Sequence, residues 1–249
     1  MTDKLAGRVA LVTGAAQGLG LAIARAFHEQ GASVLLTDVN RAVRDVATQL
    51  DAGAGRSRGA VQDVRDEALW QELTAGLMRD RGSLDILVNN AALTISKPLW
   101  DIPAAEWDDV MAVNLRGTFF GCRAAGRIMR EAGRGRIINI SSLAGQRGGV
   151  VAGGHYSASK AGIVVLSKCF AAELAASNVT VNTIAPAAIE GPITRVMPAD
   201  KVAAMAKTIP VGRLGDDREV GAAAVWLASD EAAFVTGATI DVNGGINMR

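Results

Sequence analysis

Short β-branched apolar stretches alternate along this chain with longer stretches whose apolar residues recur every three or four positions. The first pattern is typical of buried strands and the second of amphipathic helices. The predicted strands are residues 8–13, 33–38, 84–89, 136–141, 179–185 and 239–242, and the predicted helices are 19–30, 42–50, 67–79 and 159–176. Their alternation indicates βαβ units and a parallel sheet. Strands such as Val9-Ala10-Leu11-Val12 are apolar on both faces, which a sheet covered by helices on both sides requires.

The length and the lack of internal boundaries favour one domain. The chain has 249 residues, of which 49% are hydrophobic, and no linker, repeat or low-complexity tract divides it. We therefore expect a single α/β domain over residues 1–249, with a doubly wound, Rossmann-like sheet. Two long stretches break the alternation, 144–155 and 186–215, and loops of that length in a compact domain are usually functional.

Composition argues against several classes of partner and location. A formal net charge of +1 gives no field that would favour nucleic acid or an anionic membrane. No apolar stretch approaches the ~18 residues that span a bilayer, and the first residues lack a signal-peptide pattern. The two cysteines, Cys122 and Cys169, lie in apolar helical patterns and are expected to be reduced core thiols. Together these features predict a soluble, cytoplasmic protein.

A glycine-rich turn, Gly14-Ala15-Ala16-Gln17-Gly18-Leu19-Gly20, directly follows the first predicted strand and precedes a helix. Glycines there allow a sharp turn and let backbone N–H groups approach a pyrophosphate, to which the helix N-terminus adds partial positive charge. Such a turn can also be purely structural. Its position between strand and helix favours a dinucleotide-binding role.

Asp38 ends the second predicted strand, about 20 residues after the glycines, where a carboxylate can accept hydrogen bonds from the adenosine ribose. A solvated aspartate at a strand end is the alternative. At ~4 Å, this carboxylate would repel each charge of a 2′-phosphate by up to about 4 kcal/mol at an effective dielectric constant of about 20. Only Arg41 is near enough in sequence to offset that repulsion, so the sequence predicts NAD(H) rather than NADP(H).

Tyr156 and Lys160 are four residues apart at the start of a predicted helix, so the phenol and the ammonium share one helical face. A free tyrosine has a pKa near 10, and lowering it to about 7 requires roughly 4 kcal/mol of phenolate stabilisation. One neighbouring positive charge supplies part of this, and an oxidised nicotinamide could supply the rest. By itself the spacing is more typical of a helix with an ordinary exposed lysine.

The glycine turn, Asn89-Asn90-Ala91, Asn114, Ser142 and Tyr156-x-x-x-Lys160 occur together and in order. In this the chain resembles the short-chain dehydrogenase/reductase family over essentially its whole length. It is most similar to the branch that contains 3-oxoacyl-carrier-protein reductases and NAD-linked secondary-alcohol dehydrogenases. The resemblance implies a Rossmann-like fold with about seven parallel strands, and a homotetramer.

The resemblance also implies catalytic roles. Tyr156 would be the general acid/base, and Lys160 would lower its pKa and bind the nicotinamide ribose. Ser142 would hydrogen-bond the substrate oxygen, with Ser141 as the alternative hydroxyl. Asn114 would hold a water that connects Lys160 to solvent, unless it only caps or kinks a helix.

Cofactor contacts follow from the same resemblance. Asp63 and Val64 would meet the adenine, and Ile189 the nicotinamide carboxamide. The full implied set is Gly14, Gln17, Gly18, Leu19, Gly20, Asp38, Asp63, Val64, Asn90, Ala91, Tyr156, Lys160, Pro186 and Ile189, with no metal ligand.

This sequence departs from the family pattern near the nicotinamide. Gly191 stands where the family has a threonine that holds the carboxamide, and Thr194, three residues later, is an open substitute. Ala187 and Ala92 stand where glycine is common. The stretch from Ser142 to Tyr156 is one residue longer than usual.

These observations predict an NAD(H)-dependent oxidoreductase that interconverts a secondary alcohol and a ketone. An NADPH-dependent 3-oxoacyl-thioester reductase and a non-catalytic NAD-binding regulator are the alternatives. The substrate pocket is expected from residues 92–99, 144–155 and 187–211, with 187–215 closing over the ligand and His155 as a loop histidine in its lining. Lys97, Arg147 and Arg195 are cations that would either bind an anionic substrate or face solvent.

Overall fold

The computed structural model describes residues 3–149 and 152–248. A seven-stranded sheet runs through it in the order β3-β2-β1-β4-β5-β6-β7, and every neighbouring pair is parallel. The strands are β1 Val9–Thr13, β2 Ser33–Asp38, β3 Ser57–Val61, β4 Ile86–Asn89, β5 Gly135–Ile140, β6 Val179–Pro186 and β7 Thr239–Val242. The predicted doubly wound α/β sheet of about seven parallel strands is confirmed.

Helices cover both faces of the sheet. They are α1 Gly18–Glu29, α2 Val43–Asp51, α3 Glu67–Arg81, α4 Ala104–Met111, α5 Gly117–Ala132, α6 Leu143–Arg147, α7 Gly154–Leu174, α8 Pro192–Arg195, α9 Ala199–Lys207 and α10 Asp217–Ala228. Within the described residues, none of them has the length and apolar character needed to cross a membrane.

Two separate hydrophobic clusters show why the strands must be apolar on both sides. Ala10 and Val12 of β1 point into a cluster with α1, α2 and α10, whereas Val9 and Leu11 point into a second cluster with α3, α5 and α7. Successive side chains of a strand face opposite sides of a sheet, so an unbroken apolar run fills both clusters.

Several elements differ from the sequence prediction. Strand β3 was not predicted, because Ser57-Arg58-Gly59-Ala60-Val61 is a partly exposed edge strand with no apolar run. Helices α4, α5, α6, α8, α9 and α10 were also missed, and three glycines weaken the helical pattern of α5. Helix α7 begins at Gly154 rather than at residue 159, which places Tyr156 in its first turn.

The expectation of two core thiols is wrong for one of them. Cys122 is buried in α5, but Cys169 is exposed on α7. The buried residues of α7 include Ile163, Ser167 and Ala171, which face the sheet, and Cys169 projects from a different side of the helix.

The parallel arrangement places the functional loops together. The chain order reverses between β1 and β4, and at such a point the loops after neighbouring strands diverge and open a crevice at the carboxyl ends. The loops that follow β1, β2, β4, β5 and β6 all leave the sheet at this edge, where the predicted site residues occur.

Two helical glycines test this packing. A Cβ at Gly121 of α5 would overlap Asn89 Oδ1 and lie 2.8 Å from the Trp70 ring, whereas a Cβ at Gly76 of α3 would meet nothing closer than Arg79 Nη2 at 3.8 Å. We expect Gly121→Ala to destabilise the protein by about 1–3 kcal/mol through overpacking. Gly76→Ala is the matched control and should stabilise it by about 0.5–1 kcal/mol. Thermal unfolding measures both, and an equal or higher Tm for Gly121→Ala would contradict the packing described.

Candidate active site

The glycine turn and the end of β4 form one rigid wall. Thr13 Oγ1 accepts hydrogen bonds from the backbone N–H groups of Asn90 and Ala91, both at 3.0 Å. Asn90 Nδ2 in turn donates to Thr13 O at 2.9 Å and Gly14 O at 3.1 Å. A Cβ at Gly20 would overlap Gly14 O, so this glycine allows helix α1 to pack directly beneath the turn.

A groove of about 640 Å³ runs along this wall at the carboxyl ends of the strands. Of the predicted cofactor residues, those that line it are Gly14, Gln17, Gly18, Leu19, Asp38, Asp63, Val64, Asn90, Ala91 and Ile189. Gly20 lies beneath the turn and Pro186 is buried at the end of β6. Thr194 also lines the groove, and its hydroxyl accepts a hydrogen bond from Gly191 N at 2.8 Å.

The groove has unmet hydrogen-bonding capacity that fits a dinucleotide. Helix α1 has no side-chain cap and no acidic residue in its first turn, so its N-terminal N–H groups remain available to a phosphate. The amide of Gln62 is buried beside the groove, and neither its oxygen nor its nitrogen has a partner among the residues that the structure describes. Gly18 is at φ +56°, and a Cβ there would lie 3.6 Å from Pro192 Cδ, an ordinary contact.

Two carboxylates in the groove are held in place. Asp38 Oδ2 accepts from Ala16 N at 3.1 Å and its Oδ1 from Asn40 N at 2.9 Å, which fixes the carboxylate beside the glycine turn. Asp63 forms an ion pair with Arg65, whose Nη2 and Nε donate to Asp63 Oδ2 at 2.7 and 3.0 Å. Hydrogen bonding by the Arg65 guanidinium lowers the pKa of the Asp63 carboxyl below its ordinary value.

Lys160 is buried at the end of β5, with 2% of its surface exposed. Its Nζ donates to Ile140 O at 2.7 Å, and its own carbonyl accepts from Ser141 Oγ at 2.7 Å. Nζ lies 5.6 Å from the centre of the Tyr156 ring. Burial disfavours the ammonium and lowers the pKa of Lys160 to about 7.

The two candidate serines have different roles in the structure. The Ser141 hydroxyl is buried and donates a hydrogen bond to Lys160 O. Ser142 caps α6 by accepting from Ala144 N at 3.1 Å, and its hydroxyl also hydrogen-bonds the Tyr156 phenol. The geometry therefore favours Ser142 over Ser141 as the hydroxyl for a substrate oxygen.

Tyr156 does not show the lowered pKa expected from its spacing to Lys160. For the polypeptide by itself, burial raises the pKa of the phenol above its ordinary value, and hydrogen bonding by Ser142 and then by Thr94 opposes that rise. Lys160 Nζ, the expected source of the lowering, instead donates to Ile140 O at 2.7 Å.

Asn114 lies in the middle of a π-helical segment, Ala112–Arg116, and is completely buried. Its amide binds both backbone groups of Leu93, accepting from N at 2.7 Å and donating to O at 3.0 Å, and it also donates to Ser159 Oγ at 3.0 Å. Ser159 donates to Tyr156 O. The amide thus joins the loop after β4 to the helix of Tyr156, and the water relay through Asn114 stays a prediction.

His155 is not a loop residue that lines a pocket. It lies in α7, completely buried, with Nε2 3.3 Å from Glu106 Oε1. Lys97 Nζ pairs with the other oxygen of Glu106 at 2.5 Å, so this cation is not free for a substrate anion. Arg147 is exposed and donates to Ile246 O at 2.9 Å. Within the expected 144–155 lining, Val150 and Val151 lie outside the described residues.

Four contributors to the site were not predicted: Thr13, Gln62, Arg65 and Thr94. Thr13 is the last residue of β1 and the other three follow β3 or β4, so all stand at the carboxyl end of a strand. That position was the available signal, since side chains at this edge of a parallel sheet converge.

A phenol, a serine hydroxyl and a buried ammonium next to a dinucleotide-shaped groove define the class of nicotinamide-dependent oxidoreductases acting on CH–OH groups. The chain belongs to the short-chain dehydrogenase/reductase family. A family profile described as enoyl-(acyl carrier protein) reductase matches residues 14–247.

Relatives match over nearly the whole chain. D-threitol dehydrogenase of Mycolicibacterium smegmatis is 40% identical, covering 99% of this chain and 95% of the relative. The 3-oxoacyl-[acyl-carrier-protein] reductase of Vibrio cholerae is 39% identical, covering 98% and 99%. Cis-4-hydroxycyclohexanecarboxylate dehydrogenase of Sinomonas cyclohexanicum is 41% identical, covering 98% of each. The crystal structure of a putative short-chain alcohol dehydrogenase from Sinorhizobium meliloti superposes with a TM-score of 0.92 at 37% identity, covering 99% of this chain and 98% of the other.

Replacing Lys160 tests its burial. The pKa near 7, against an ordinary value of 10.5, means that the unfolded chain binds more protons than the native one between these two pH values. Burial of Lys160 thus costs stability, on the order of 5 kcal/mol at pH 7 and below, and the cost fades as the pH rises to 10.5. Losing the bond to Ile140 O costs only about 1–3 kcal/mol.

We therefore expect Lys160→Met, without nucleotide, to unfold at a higher Tm than wild type at pH 7, with the gain shrinking and reversing toward pH 10.5. Lys168→Met, at an exposed position of the same helix, is the control and should show no such pH dependence. A Lys160→Met gain that is absent or independent of pH would contradict the burial of the amine.

Proposed function

We propose that the protein is an NAD(H)-dependent dehydrogenase that interconverts a secondary alcohol and a ketone. The observation that carries the proposal is that Ser142, Tyr156 and Lys160 meet at the carboxyl end of β5, the edge of the sheet along which the groove with Asp38 also runs. Such a groove fits a nicotinamide dinucleotide by its glycine turn, its uncapped helix and its buried Gln62 amide.

The residues of the chain account for the proton half of the reaction. Tyr156 removes the hydroxyl proton in oxidation and returns it to the carbonyl oxygen in reduction. Ser142, whose hydroxyl lies beside the Tyr156 phenol, donates to the substrate oxygen and polarises it. Lys160, with a pKa near 7, can hold or release a proton next to the phenol at neutral pH. The nicotinamide, when bound, accepts or donates the hydride.

The preference for NAD rests on Asp38. Its carboxylate is fixed by Ala16 N and Asn40 N, so it cannot easily swing away from a ribose 2′ substituent. Arg41, the neighbouring cation, is exposed on the loop that follows β2.

Segment 187–215 supports the proposed closure over a ligand. Its two ends are joined, since Glu190 N donates to Gly215 O at 2.8 Å and Gly215 N to Ala188 O at 3.0 Å. Between these points, Pro192 and Thr194 border the groove, and Val196 and Val211 are largely exposed. A segment anchored at its base and apolar at its surface can fold over a bound substrate.

A homotetramer is proposed on the family resemblance and on one surface. Helices α5 and α7 leave between them an open, mostly apolar depression of about 800 Å³, which includes Leu115, Phe119, Val165 and Leu166. Exposed apolar depressions of this kind mark association sites.

The relatives provide the first substrates for a test. We propose to follow NAD⁺ reduction with D-threitol, cis-4-hydroxycyclohexanecarboxylate and a panel of other secondary alcohols, hydroxy acids and sugars. NADPH oxidation with a 3-oxoacyl thioester tests the alternative, which the 39% identity to the Vibrio cholerae enzyme favours and Asp38 opposes. Nucleotide binding without turnover of any of these would favour the non-catalytic alternative.

The cofactor preference can be measured by fluorescence titration with NADH and NADPH. Wild type should bind NADH at least about tenfold more tightly, since the repulsion estimated from Coulomb's law exceeds 1.4 kcal/mol. Asp38→Asn keeps the shape of the side chain and removes the charge, so it should narrow the difference. Asp45→Asn, an exposed carboxylate of α2, is the control. Tighter binding of NADPH by wild type would overturn the NAD assignment.

Tyr156→Phe removes the phenolic hydroxyl and keeps the ring. Loss of a general acid/base costs roughly 10²–10⁴-fold in rate, so turnover of the best substrate should fall by about that factor while NADH still binds. Thr48→Ala, which removes an exposed hydroxyl of α2 that donates to Arg44 O, is the control and should keep its turnover. Near-wild-type turnover by Tyr156→Phe would refute the role of this residue.

A further inference from the structure

The loop that follows β4, residues 93–99, separates the dinucleotide groove from the start of α7. At its beginning, the amide of Asn114 binds both backbone groups of Leu93. Further along, Lys97 Nζ pairs with Glu106 Oε2 of α4 at 2.5 Å. This β4 loop is therefore fastened at two points, and Thr94, which contacts the Tyr156 phenol, lies between them.

Glu106 also reaches the helix that carries Tyr156. Its second oxygen lies 3.3 Å from His155 Nε2, and the side chains of the two residues are 17% and 0% exposed. The contact is off the line of a good hydrogen bond, yet neither ring nitrogen of His155 finds a better partner in the part of the chain that the structure describes. One largely buried carboxylate thus faces a partner on the β4 loop and a partner directly before Tyr156.

Two glycines bring the β4 loop into direct contact with this end of α7. A Cβ at Gly153 would lie 2.6 Å from Ile95 O, and one at Gly154 would overlap the Leu99 side chain. Because no side chain stands between them, a shift of the loop is transmitted to the first turn of the helix.

We propose that Glu106 is a positioning residue, which joins the β4 loop to the start of α7 through Lys97 and His155 and so holds Thr94 and Tyr156 in one arrangement. Glu106 acts through these two neighbours, and neither it nor Lys97 nor His155 lines the dinucleotide groove. A carboxylate withdrawn from water depends on its charged partner, so neutralising it releases the loop. The inference rests on the proposed function only in giving Tyr156 a catalytic role.

The chain contains a single tyrosine, which allows a direct test. Protein labelled with 3-fluorotyrosine gives one ¹⁹F resonance, and that resonance reports the surroundings of the Tyr156 ring. We expect Glu106→Gln to shift or split it. Glu231→Gln, which removes a carboxylate paired with Lys4 at 2.9 Å on the surface, is the matched control and should leave it in place. The dissociation constant for NADH should be the same in all three proteins.

Lys97→Met is the second variant and carries the test if Glu106→Gln does not fold, because Lys97 is the more exposed partner at 30%. It should move the resonance in the same way. Spectra of both variants that superpose on wild type would overturn the proposal, even if the Tm falls, since a purely structural ion pair would lower stability without moving the Tyr156 signal. Failure of the proposed function is detected separately, by absent NADH binding or by turnover that survives Tyr156→Phe.

Discussion

Two hydrogen bonds that run in opposite directions tie the end of β5 to Lys160, and the candidate site is built around them. Nζ donates to Ile140 O, while Ser141 Oγ donates to Lys160 O, each at 2.7 Å. Gly145 makes the approach possible, because a Cβ there would lie 2.6 Å from the carbonyl carbon of Lys160. An ammonium buried to this degree needs a fixed acceptor. The bonds that provide it also set the distance between Ser142, next after Ser141, and Tyr156, one helical turn before Lys160.

Most strands of the sheet could be predicted because burial on both faces requires apolar residues, and these show in the local sequence. A strand buried on both faces is mostly apolar: β1 begins with Val9-Ala10-Leu11-Val12, and β5 contains Ile137, Ile138 and Ile140. Strand β3 lacks this pattern because an edge strand is buried on fewer sides, and its Gly59 is required by close contact with the backbone of α2 rather than by strand propensity. Helix α5 is similar, since Gly121 and Gly126 reflect close packing against neighbours that the local sequence does not reveal.

The site residues likewise divide into those that a local sequence pattern reveals and those that meet only after folding. Tyr156 and Lys160 share one helix, and the glycine turn with Asp38 follows a known strand-turn-helix spacing, so short-range patterns together with the family resemblance were enough to single them out. Lys97, Glu106 and His155 come from three elements and meet only after folding. Two glycines precede His155, and the sequence pattern therefore suggested a loop. In the structure these glycines instead lie at the start of helix α7, where they allow the β4 loop to pack closely against it.

Strand β4 belongs to both halves of the site, and this separates cofactor binding from substrate selection. Its end is locked to the glycine turn through Thr13 and Asn90, which keeps the groove constant. The residues after it, from Leu93 onward, are held instead by Asn114 and Glu106 on the opposite side. A change in the β4 loop beyond Leu93, which itself lines the groove, should therefore alter the surroundings of Tyr156 more than the wall formed by Thr13 and Asn90. Three relatives at 39–41% identity bear the names of three different substrates, as expected of a scaffold with this division.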